Sequence, residues 1–261
     1  MKKIKVNNKS IREIIDKRYK ESDENGTYVI DVSDLDTSEV TNMSRIFVGE
    51  TGWNKKVNLS SFDTSKVENM SHMFSYCSGF ISLDVSSFDT SEVRDMSYMF
   101  QDCCSLEKLD LRNFKTSKVR DMRFMFLGCH NLTKLNISLF DTSGVTNMNC
   151  MFHGCYKLKE LDLSRFNTSK VENMYGMFSR CYNLEKLDLS SFDFSNVKEL
   201  YGMFYGCTNL EEIKGIEKIF NCEAYKKLSK EEQKEIFKDT KIDIEKEIKK
   251  IRREYEKNKS R

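Results

Sequence analysis

From Ser91 onward, apolar residues fall at Val93, Met96, Met99, Phe100 and Cys103. Spacings of three and four put them on one face of a short helix. Thr90 or Ser91 stands where an N-cap belongs, and Ser65-x-x-Glu68 and Ser169-x-x-Glu172 have capping-box spacing. The pattern then changes through Leu106, with Leu109 and Leu111 inward and Lys108, Asp110 and Arg112 outward. That alternation predicts a short strand. Asn113-Phe114-Lys115-Thr116-Ser117 turns the chain toward the next helix.

This unit recurs. Phe62, Phe88, Phe114, Phe140, Phe166 and Phe192 are each 26 residues apart, as are Phe74, Phe100, Phe126, Phe152, Phe178 and Phe204. Cys77 through Cys207, Val67 through Val197 and Met73 through Met203 keep the same step. A weaker copy, Leu35-Asp-Thr-Ser38 to Phe47, precedes them one residue out of phase, with the difference absorbed around Gly49-Glu-Thr-Gly-Trp53. One strand, turn and helix cannot bury its own apolar face, so successive copies must stack. The expected fold class is α/β: a leucine-rich-repeat solenoid of about seven 26-residue strand-turn-helix coils. Its repeats span 35–216, between an N-terminal cap (1–34) and a charged helical C-terminal cap or tail (217–261). The first cap has a helix-like Ile11–Tyr19 and an apolar Tyr28-Val-Ile30. The second has Ser229-Lys-Glu-Glu232 opening one helix and Ile242–Glu256 forming another, striped by Ile244, Ile248, Ile251 and Tyr255.

The leucine spacing is that of a leucine-rich repeat. More closely, the copies resemble the BspA-type bacterial leucine-rich repeat, also found in mycoplasma surface lipoproteins. The resemblance rests on Phe62-Asp-Thr-Ser-Lys-Val-Glu-Asn-Met70, Met73-Phe74, Cys77 and Leu83-Asp-Val-Ser86, with their later equivalents. It implies a non-enzymatic, surface-exposed protein that binds partners in adhesion.

Charge narrows the partner. Forty-three basic against forty-one acidic residues leave +2, no global pull toward nucleic acid or an anionic membrane. No stretch approaches the ~18 apolar residues of a membrane helix. The expected partner is therefore a protein, with no nucleic acid, no membrane insertion and an oligomeric state left open. Charges at Ile11-Arg-Glu-Ile-Ile-Asp-Lys-Arg18 stand where a signal peptide has its apolar region, which predicts a cytoplasmic chain. The resemblance implies the cell surface instead.

The outward strand positions are the expected working surface: Lys108, Asp110, Arg112, Lys134, Asn136, Glu160, Asp162, Lys186 and Asp188. The alternative is that these mixed charges only neutralise one another on a solvated sheet. Phenylalanine, methionine, leucine and cysteine columns are expected in the core, the cysteines as buried thiols. His72, His130 and His153 share no column, and Cys104 beside His130 lacks an orienting group and an oxyanion donor. No catalytic residue, cofactor or metal site is expected.

Overall fold

The computed structural model describes residues 3–27, 29–49 and 55–259. Tyr28, the phase-correcting Glu50–Trp53 and the Tyr255 side chain lie outside the described residues. The chain opens with β1 (Ile4–Lys5) and α1 (Ser10–Glu24), followed by β2 (Val29–Ile30), β3 (Leu35–Asp36) and β4 (Lys56–Val57). Through the repeats run β5 (Lys108–Asp110), β6 (Lys134–Asn136), β7 (Lys186–Asp188) and β8 (Glu212–Lys214). Four helices close the chain: α2 (Ile216–Asn221), α3 (Glu223–Lys226), α4 (Lys230–Ile236) and α5 (Ile244–Lys259). All strand pairs are parallel, and within the repeats the registers Lys108↔Lys134 and Lys186↔Glu212 join equivalent residues of adjacent copies.

The helix expected in each copy is not formed. Along 96–102 the backbone amides alternate between two uses. Those of Met96, Tyr98, Phe100 and Asp102 donate to the carbonyls of Asp121, Arg123, Met125 and Leu127 in the next copy, at 2.7–3.1 Å. Those of Met99, Gln101 and Cys103 donate back three residues, to Met96, Tyr98 and Phe100. The chain is a run of tight turns that spends half its donors between copies, so no i→i+4 ladder remains. Turns closing over three residues also put Met96, Met99, Phe100 and Cys103 inward, which imitates a helical stripe. Two left-handed residues per copy make the path possible. Tyr98 has φ 59° and Asp102 φ 54°, and His72, Phe124 and Arg180 are similar in their copies. Left-handed backbone costs about 1–2 kcal/mol for a residue with a Cβ, so the cross-copy bonds must outweigh it. Ser65 and Ser169 cap no helix: their amides donate to Asp63 Oδ1 and Asn167 Oδ1 in Asx turns, both at 3.0 Å.

The recurring Asp-Thr-Ser follows from the same stacking. Thr116 Oγ1 donates to the Asp141 carbonyl (2.9 Å) and accepts from the Asp141 amide (2.8 Å). Thr37, Thr64, Thr90, Thr142 and Thr168 make equivalent paired bonds, and all six are buried. In the last copy Phe194 stands in the threonine column and packs on Phe192.

One apolar core runs from Val6 to Phe237. Its axis is the phenylalanine stack, with Phe74, Phe100, Phe126, Phe152, Phe178 and Phe204 spaced 5.6–5.8 Å between ring centroids. The ends imitate missing copies. At one end Asn8 Oδ1 accepts from the Thr41 and Asn42 amides, while β1 pairs with β3. At the other, Phe237 stacks on Phe204 at 5.5 Å, and the Ile236 and Lys238 carbonyls accept from Phe204 and Gly206. Ser229 and Glu232 form the capping box that places α4 for this role.

Each column cysteine from Cys77 to Cys207 directs its thiol at a phenylalanine carbonyl of the preceding copy, at 2.8–3.3 Å. Burial pushes the Cys129 thiol far up and Cys207 to about 12.

Three outcomes follow. Phe126→Ala removes a ring stacked on both sides and should cost about 3–5 kcal/mol in a denaturant titration, with cooperativity lost across neighbouring copies. An unchanged titration would contradict the stack. In native protein a maleimide probe should label half-buried Cys104 first and leave the column cysteines unlabelled until unfolding, as peptide mapping by mass spectrometry can check. The third concerns acid. Serine hydroxyls and amides hold Asp63, Asp89 and Asp141 below the ordinary carboxylate pKa. A lowered folded-state pKa stabilises above the unfolded value, and that contribution is lost as pH falls through the folded one. The urea midpoint should therefore decline below about pH 4. The triple variant D63N/D89N/D141N, which copies Asn167, should show a shallower decline.

Candidate functional site

The strand row is less regular than the turn row. The ladder of bridges Asn42–Asn69–Asp95–Asp121–Asn147–Asn173–Glu199 passes through every copy without a gap. Across the core, β5 pairs with β6 and β7 with β8, but the backbone of Lys159–Asp162 between them forms no hydrogen bond among the described residues. The strand row opens there. Leu109 and Leu187 are 3% exposed, whereas Leu161 and Leu135, the latter on the strand next to the opening, are only half-buried.

A shallow groove of roughly 930 Å³ lies over this opening. Leu83, Leu109, Leu135 and Leu161 form its floor, and Lys108, Lys134, Glu160 and Asp162 stand on its rim. Six of the nine residues expected from sequence come together here: Lys108, Asp110, Lys134, Asn136, Glu160 and Asp162. The other three do not line it. Arg112 turns back onto Asp110 at 2.7 Å, and Lys186 pairs with Glu212 at 2.9 Å, which raises the Lys186 pKa. Asp188 receives Lys214 at 2.9 Å, a bond that with those from Ser190 holds its carboxyl at about 2.

The aspartate column has a structural duty. Asp84, Asp162 and Asp188 accept from the amides of Ser86, Ser164 and Ser190 at 2.9–3.0 Å, each closing an Asx turn. Asn136 does the same for Ser138 at 3.3 Å and is half-buried. By contrast Lys108, Lys134 and Glu160 make no ion pair among the described residues, so the groove rim keeps charges the rest of the row neutralises. Charged rims over an apolar floor suit a polar, extended ligand.

The turn row bears a second surface that the sequence reading passed over. His72, Tyr98 and Phe124 stack at 4.3 and 4.6 Å, His130, Tyr156 and Tyr182 at 4.3 and 4.8 Å, and Tyr175 on Tyr201 at 6.1 Å. The signal was present in columns at 26-residue steps, where the rings vary between histidine, tyrosine and phenylalanine. His130 stacks on Tyr156, and no hydrogen bond joins it to Cys104 among the described residues. Burial raises the Cys104 pKa, the opposite of what a nucleophile needs. Among the described residues no group of three or more His, Cys, Asp or Glu is placed to hold a metal ion, and no helix is long and apolar enough to cross a membrane.

No curated protein and no solved structure matches this chain. The model of a family described as "Mycoplasma protein of unknown function, DUF285" matches residues 19–134 and again 128–234. The overlapping matches cover the stacked copies, the last part of α1 from Tyr19 and the closing helices through Lys234, and on that coverage the chain belongs to the DUF285 family.

Proposed function

We propose that this protein is a non-enzymatic protein-recognition module, a leucine-rich-repeat-like solenoid akin to BspA-type repeats. Its partner binds the strand face over Leu135 and Leu161. The observation that carries the reading is the break at Lys159–Asp162, where half-buried leucines and unpaired charges share one groove. A partner segment with an apolar side chain and charges of both signs would bury the leucines and meet Lys108, Lys134 and Glu160. The BspA-type resemblance adds display at a cell surface, where such a face would meet host or matrix proteins.

An intracellular scaffold recruiting through the C-terminal helix has less support. Ile244 and Ile251 of the α5 stripe, with Ile242 just before the helix, lie against the core, so that part of the stripe is used in docking.

Peptides selected from a random display library on the immobilised full-length protein provide the test. The variant K108E/K134E should weaken their binding by about tenfold, since mispaired interface charges cost more than ~1.4 kcal/mol, and should leave the melting temperature nearly unchanged. Undiminished binding would move the site off the strand face.

A further inference from the structure

The turn row has the composition of an interface. The columns through 71, 72, 75, 76 and 78 hold thirty positions in six copies, of which only Asp102, Arg123 and Arg180 are charged, against 32% of the chain. Charge depletion with tyrosine and arginine enrichment marks the centre of protein interfaces. Tyr76 is 50% exposed, Tyr175 44% and Tyr201 37%.

Bulk along this row is distributed unevenly, and the unevenness identifies the occupant. In the column of His72, the first three copies carry the stacked rings His72, Tyr98 and Phe124. The last three carry Cys150, Gly176 and Gly202. The adjoining column is reversed, with Ser71 and Ser97 early and Tyr175 and Tyr201 late. Backbone conformation does not demand the late glycines, since His72 and Tyr98 hold φ 56° and 59° where Gly176 and Gly202 hold 56° and 63°. Internal packing accounts for one of the two: a Cβ at Gly176 would meet Cys150 Sγ at 3.1 Å, whereas a Cβ at Gly202 would meet nothing nearer than Tyr205 Cβ at 3.8 Å. At Gly202, then, neither backbone nor packing within the chain accounts for the missing bulk.

A second copy, laid face to face and antiparallel, has the complementary relief. A two-fold axis in the contact plane, between the third and fourth copies, sets each copy n against copy 7 − n. Tyr98 then stands over Gly176, His72 over Gly202, and Tyr175 over Ser97. In the column of Tyr76, Asp102 faces Arg180, and the symmetry makes that ion pair twice. Any other antiparallel partner would need the same rung spacing, which an identical chain has by construction. We infer that the turn face is an isologous homodimer interface, with both strand faces left outward. The inference does not depend on the strand-face groove.

The charge swap tests it. Asp102 and Arg180 occupy one column with similar left-handed φ, 54° and 58°, so each position accommodates the other's residue type. Sedimentation equilibrium of the full chain should show a dimer. D102R and R180D should each weaken it by tenfold or more, and D102R/R180D should restore it. G202Y, whose ring copies Tyr98, should also weaken dimerisation by more than G202A, which carries the same left-handed strain without the ring. Wild-type protein that stays monomeric at every concentration would overturn the inference. So would single variants with an unchanged dimer constant, or a double variant that fails to recover.

Discussion

Everything in the repeat region depends on how the turn-row amides are divided. One set closes turns within a copy and the other reaches the next copy, so each copy is bonded to its neighbours by the residues that shape it. Neither set suffices alone. A turn of three residues is too small to persist in water, and parallel segments this short are marginal without a covering core. Their combination also explains the left-handed residues at Tyr98 and Asp102, because alternate amides point outward along the stack only if the chain reverses its hand twice per copy. Strain there is local and repeated, and so is the bond that offsets it.

The repeat and its core columns were legible from sequence because a 26-residue period leaves little freedom. Phe126 must meet Phe100 and Phe152 once copies stack in register, whatever the intervening backbone does. The intervening backbone was not legible. Val93, Met96, Met99, Phe100 and Cys103 are spaced as a helix face, but three-residue turns bury the same positions, and side-chain pattern cannot tell one from the other. Hydrogen bonding to the next copy decided the outcome, and that is a tertiary property. The strand reading fared better at Leu109 and Leu187, where alternation reports a pleat directly. It could not show that pairing fails at Leu161, whose sequence Glu-Leu-Asp differs little from Lys-Leu-Asp in β5 and β7.

The ends of the stack obey the same logic. A bare coil would expose the amides and carbonyls that elsewhere bond a neighbour, and such edges recruit other chains. Asn8 answers the first with a side-chain carbonyl placed where a preceding backbone carbonyl would lie. The second is answered after a 33-residue excursion through α2, α3 and α4, which returns Phe237 to the next rung above Phe204. Phe194 belongs to this economy. At the end of the threonine column a buried apolar ring takes the place of the hydroxyl.

The two rows consequently carry different freedoms. Continuity of the turn row holds the copies at fixed spacing, so the strand row can lose its pairing at Lys159–Asp162 without the stack coming apart. Groove and break therefore have one cause: a row that the fold does not need in full. The turn row has no such slack in its backbone, and its variation is confined to side chains that project from a rigid ladder. Rings and glycines at equivalent left-handed positions change relief without changing path, since Tyr98 and Gly202 adopt nearly the same φ. A surface whose rungs are fixed and whose heights are free is well suited to contacts that depend on shape. The strand row, softer and more charged, is suited to contacts that depend on polar pairing.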